Sequence, residues 1–130
     1  MASLGVIAKI GGAAVGSLAA EGVAAYEVGT YENLQARSVV GDDLALHYAG
    51  QAHAMEQVVP GYERATGPSI ALPTAEHRLI PNLHGAVGLT PRQLLARDIV
   101  NLRQYTNTQN SSLQQLIQLN KDMYPEAFSR

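Results

Sequence analysis

The tetrapeptide Thr90-Pro91-Arg92-Gln93 constrains this chain more than any other stretch. A threonine, a proline at the first helical position and a glutamine three residues after the threonine make a helix start signal. Leu95, Ile99 and Leu102 then recur at i, i+4 and i+7, which predicts an amphipathic helix to about Tyr105. Thr106 to Asn110 is polar and reads as a loop. A second helix is expected from Ser111 or Ser112, with Leu113, Leu116, Ile117 and Asn120 on one face and Pro125 as its stop. The C-terminal third is therefore a helix pair.

Upstream the segments are shorter. Gly41-Asp42-Asp43 signals a turn, and Leu44-Ala45-Leu46-His47 reads as a strand ending on a histidine. Gln51 to Val59 suits a helical turn or two, closed by Pro60-Gly61. After the turn at Thr66-Gly67-Pro68, Ser69-Ile70-Ala71-Leu72 is a second strand, stopped by Pro73. Thr74 is placed to cap a short helix carrying Glu76 and His77, which Pro81 breaks. Glu27 to Val40 reads as a short helix or connector. The expected fold class is α+β and mainly helical: a short β-hairpin, a helix, and a C-terminal helix pair. Residues 1–39 are expected as a Gly/Ala-rich N-terminal segment with a connector, and residues 40–130 as the functional domain.

A length of 130 residues suits one such domain. Hydrophobic residues reach 46%, but aromatics are 5% and Trp is absent, so the core must rest on aliphatic side chains. With no cysteine, disulfides and thiolate-held zinc are excluded. Residues 1–65 carry three basic and seven acidic groups, and residues 66–130 carry six basic and four acidic groups. The absence of a basic run argues against a protein that coats nucleic acid. It leaves room for a nuclease, which needs only a local positive groove.

The stretch Gly11 to Ala20 holds Gly12 and Gly16 at small-xxx-small spacing. Its uncharged run between Lys9 and Glu21 is 11 residues, too short for a stable transmembrane span. A small-residue helix packed on its own domain or a partner, and a membrane-touching remnant, both stay open.

The four histidines, His47, His53, His77 and His84, all fall between residues 47 and 84. Neutral imidazole is a good donor to borderline divalent ions. A metal held by few protein ligands keeps positions open for a phosphate oxygen, and an unligated base can deprotonate the attacking water. Taken singly, each histidine can equally be a satisfied core or surface residue.

Four stretches carry a resemblance: Asp42 to Gln51 with His53, Val59-Pro60-Gly61-Tyr62, Ile70 to Arg78, and a tail from Ala96 to Phe128. Together they resemble HNH-like domains at the C-termini of bacterial polymorphic toxins, including those of Rhs type. The likeness covers about residues 40 to 130. It implies a ββα-metal fold and a metal-dependent endonuclease acting on DNA, with RNA open. The ion would be Mg, Mn or Zn. A cognate immunity protein is implied as partner, as is delivery into the cytoplasm of a competing bacterium. Carried over, His47 is the candidate metal ligand on the hairpin and His77 the candidate ligand or phosphate-facing group on the helix. Glu76 becomes a catalytic candidate, and Arg78, Arg92 and Arg103 become candidates for nucleic-acid contact. Arg92 and Arg103 lie about three helical turns apart and so share a face; a salt-bridged solvent face is the plainer alternative.

This chain departs from that family at Tyr48, where a second histidine ordinarily activates water. A phenol ionises near pH 10 and is a poor base at neutral pH. His53, five residues on, is the preferred substitute base, with Tyr48 kept as a catalytic candidate. The departure keeps open a non-catalytic interaction module or an inactive relative. A membrane-active toxin working through residues 4–25 is the third reading.

Overall fold

A computed structural model describes residues 22–85 and 88–128. The Gly/Ala-rich run around Gly12 and Gly16, and nearly all of segment 4–25, lie outside the described residues. The observed elements are β1 (Val28–Thr30), α1 (Tyr31–Arg37), β2 (Leu44–Tyr48), α2 (Ala52–Val58), a 3-10 turn (Arg64–Thr66), β3 (Pro68–Pro73), α3 (Thr74–His77), α4 (Pro91–Tyr105), α5 (Asn110–Met123) and α6 (Pro125–Phe128). The fold is α+β and mainly helical.

β3 is the central strand of a three-stranded sheet ordered β1-β3-β2, antiparallel to both neighbours. Its first five residues are buried because both faces are covered. Ile70 and Leu72 point into the main core with Leu94, Leu95, Ile99 and Leu102 of α4 and Leu113 and Leu116 of α5. Ser69 and Ala71 point the other way and are equally buried. That side is covered by α1, which packs on all three strands and seals Leu34 outside the main cluster.

β2 and β3 form the expected antiparallel pair; within Glu27 to Val40, expected as a short helix or connector, α1 is that helix and β1 is a strand with no signal in the sequence. Val28 to Thr30 pair with Ile70 to Pro68, so residues before 40 contribute an edge strand and a helix to the same sheet. Thr30, at the end of β1, caps α1 through its hydroxyl, which accepts from the Asn33 amide.

The helix pair matches its sequence signals closely. Thr90 and Gln93 form the reciprocal capping box, and the first helix ends at Tyr105. Two starts differ. Thr74 lies inside α3, whose cap is Pro73 with no side-chain bond. α5 begins at Asn110, because the Ser112 hydroxyl donates to the Tyr26 carbonyl instead of capping.

Candidate functional site

His47 pairs across the sheet with Ile70, and Tyr48 pairs with Ser69. Cross-strand partners share a face, and neighbours along a strand point oppositely. His47 therefore faces α4 and the main core, and Tyr48 faces α1. His47 is buried, with 4% of its surface exposed, and Asp98 of α4 is sealed at 1%. The His47 Nε2 lies 3.0 Å from Asp98 Oδ1 and 2.9 Å from Oδ2. The Gly50 amide donates to the same Oδ2 at 2.9 Å. Two donors thus compensate a carboxylate held out of water. A carboxylate on Nε2 favours the tautomer with the proton there and leaves the Nδ1 lone pair available.

His77 stands at the end of α3, directly after β3, with its ring edge-on to His47 at 5.3 Å between centroids and 68° between planes. Its pKa is held below the usual imidazole value by burial first, then by the neighbouring His47; Asp98 pulls the other way. His77 is accordingly biased to the neutral, ligand- and proton-accepting form.

Both rings open on a cleft of about 570 Å³ that also reaches Tyr48, His53, Arg64 and His84. The chain reverses between His47 and His53 through two successive positive φ angles, +75° at Gly50 and +68° at Gln51. A left-handed backbone at glutamine costs about 1–3 kcal/mol and must be held by its surroundings. Here the Gln51 amide clamps the far wall of the cleft, donating to the Pro81 carbonyl and accepting from the Leu83 amide, both at 2.8 Å. His53 sits exposed on α2, with Nε2 3.2 Å from the Gly85 carbonyl. That contact places the proton on Nε2 and leaves Nδ1 as acceptor.

The sequence-derived candidates separate into two groups. His47, His77, His53 and Tyr48 meet at this cleft. Glu76, Arg78, Arg92 and Arg103 are not among its lining residues. Glu76 is engaged as an anchor between segments. Its carboxylate accepts from the Tyr26 hydroxyl at 3.0 Å and from the backbone and side-chain amides of Asn107. Arg92 and Arg103 do share a face of α4, but that face lines a different groove. Tyr48 stacks on Tyr31 with ring centroids 4.7 Å apart, and burial followed by that neighbour pushes its hydroxyl pKa up. A phenol so placed is a wall and a proton donor, not a base.

Three contributors escaped sequence reading. Asp98 had a signal: it is an acid inside the apolar stripe Leu94, Leu95, Ile99, Leu102. Gln51 had none, since its clamp depends on backbone geometry. Arg64 comes from the turn before β3 and is held by Glu56 of α2 through two bonds of 2.8 and 3.0 Å.

Among the described residues, no group of three or more metal-ligating side chains is assembled. The donor chemistry of two adjacent imidazoles, His47 backed by a carboxylate and His77 beside it, is of the kind that would suit a borderline divalent ion. Comparison with protein-family models, curated proteins and solved structures gives no match for this chain.

Proposed function

We propose that this chain is a nuclease domain that hydrolyses phosphodiester bonds at the His47–His77 cleft. One observation carries the reading. Every histidine of the chain and Arg64, itself bonded to Glu56, line a single cleft, and no carboxylate is among its lining residues. A cavity furnished this way favours an anionic substrate and provides neutral bases beside it.

The roles follow from the positions. His47 and His77 would hold a divalent ion, which supplies charge neutralisation at a phosphate oxygen. His53, with Nδ1 unprotonated, is the group able to take the proton of an attacking water. Arg64 would pair with a non-bridging phosphate oxygen. Gln51 and Asp98 position the two walls. The likeness of residues 40 to 130 to HNH-like toxin domains extends the proposal to DNA as substrate, to delivery into a target bacterium and to a cognate immunity protein.

The testing experiment is digestion of plasmid DNA and of RNA by the purified chain with Mg²⁺, Mn²⁺, Zn²⁺ or a chelator. His47→Ala, His53→Ala and His77→Ala run beside it. Cleavage that needs the ion and disappears in His47→Ala and His77→Ala is expected. Among the described residues no helix is long and apolar enough to cross a membrane. A non-catalytic module is favoured by one feature: Tyr48 stands at the cleft where the HNH-like pattern has a histidine base, and its hydroxyl pKa is raised. It predicts no cleavage of either nucleic acid under any ion.

A further inference from the structure

The second groove of the molecule lies on the other face of the helix that supplies Asp98. It measures about 440 Å³ and runs along α4 beside α5 and α6. Arg92 and Arg103 stand on α4 and Lys121 on α5; all three are exposed. Between them lie Val100, which keeps 57% of its surface exposed, and the partly buried Ile117. No acid is among the lining residues. A chain of net charge −2 has thus gathered three cations around an apolar floor.

We infer that this groove docks an acidic amphipathic helix of another protein. Arg92 to Arg103 covers eleven residues, about 16 Å of helix at 1.5 Å per residue, which matches about three turns of a partner helix. Such a helix lays apolar anchors at i, i+3, i+4 and i+7 on the floor and sets its acids against the flanking cations. Charge excludes the nearer occupants. Residues 1–21 of this chain carry only Lys9 and Glu21, so they leave the three cations unanswered. A second copy docked two-fold on the same face would set those cations against themselves. Nucleic acid fits less well, because the one aromatic side chain lining the groove, Phe128, is buried at 2% exposure and leaves no open ring for base stacking. The inference is independent of the nuclease reading.

The probe is a labelled 18-residue peptide with leucines at helical i, i+3, i+4, i+7 spacing and glutamates on its polar face, followed by fluorescence anisotropy. Saturable binding is expected. Combined Arg92→Glu and Lys121→Glu should weaken it at least tenfold, and Val100→Asp should do the same. His47→Ala should leave it unchanged. Circular dichroism checks that each variant is folded, and Arg103→Ser serves as a milder substitute for any that is not. Four outcomes overturn the inference: no binding, equal binding by the charge-reversed protein, equal binding of a peptide with alanines for leucines, or displacement of the peptide by duplex DNA. Sedimentation showing a dimer that Val100→Asp dissociates overturns it as well, in favour of a second copy.

Discussion

The imidazole of His47 and the carboxylate of Asp98 meet at 2.9 Å, one from a strand and the other from a helix 51 residues later. Both are nearly sealed from water, and the Gly50 amide shares the carboxylate. Asp98→Ala would leave two buried donors without an acceptor. The expected loss is about 2–5 kcal/mol of stability, by chemical denaturation. Asp98→Asn keeps the shape and should lose less. In a double-mutant cycle with His47→Ala, the two changes should be non-additive by about 0.5–3 kcal/mol. Additive losses would show that the contact carries no energy.

Gly50 leads the chain from His47 into α2, and its φ of +75° is strained for any side chain. A Cβ there would meet the Met55 sulfur at 2.6 Å, well inside contact distance. Gly50→Ala must therefore pay for backbone conformation and displace a buried methionine. The sum is about 2–4 kcal/mol. Thermal unfolding measures it. Measured in a Met55→Ala background, Gly50→Ala should cost only the conformational part.

The fold was legible where one signal decided one element. The Thr90 capping box and the Leu95, Ile99, Leu102 recurrence marked α4 to its last residue, because caps and period are local. Both strands of the central pair were visible as short apolar runs between turn signals. β1 was not, since three residues of a pairing set by Ile70 across the chain leave no local period. In the site, the histidines were legible as residues and their meeting was not. Asp98 shows why: an acid in an apolar stripe announces that it needs a buried partner, but only tertiary structure says that His47 is that partner. The face assigned to Tyr48 follows from strand alternation alone, once β2 is known to extend that far.

Glu76 joins three parts of the chain: Tyr26 before β1, α3, and Asn107 in the loop between α4 and α5. Glu76→Ala should cost about 1–3 kcal/mol, since three hydrogen-bonded donors, the Tyr26 hydroxyl and the two Asn107 amides, lose a charged acceptor. The Tyr26 phenol, whose pKa is raised by burial and by Glu76, should then ionise at lower pH in an ultraviolet titration. Nucleic-acid cleavage per folded molecule should be unchanged. A loss of cleavage without a loss of stability would restore the catalytic role expected from the sequence.

Arg64 reaches the cleft while doubly bonded to Glu56. Both side chains are largely exposed, so the pair itself contributes little to folding. Its consequence lies in orientation. Arg64→Ala should weaken binding of a short phosphate-bearing oligonucleotide about tenfold to a hundredfold, the range expected for one charge-assisted contact. Arg64→Lys should recover part of that, lacking the planar fork. Glu56→Gln should leave affinity equal or slightly higher, because the competing carboxylate is gone. Unchanged affinity in Arg64→Ala would remove the guanidinium from the site.

His77 connects the cleft to pH. Burial, and then the adjacent His47, hold its folded pKa below the ordinary 6.5. The unfolded chain takes up a proton near pH 6.5, whereas the folded chain does so only at lower pH. Between those values the unfolded state binds more protons, so stability falls as pH drops through that window and is unaffected by this group above it. Denaturation from pH 7.5 to 5 should show that slope, and His77→Gln should flatten it. In the folded protein the His77 Cε1 proton should titrate with a midpoint below 6.5 by NMR. A midpoint at or above 6.5 would mean that burial and His47 do not hold the ring neutral, and the pH slope assigned to His77 would have to come from another group.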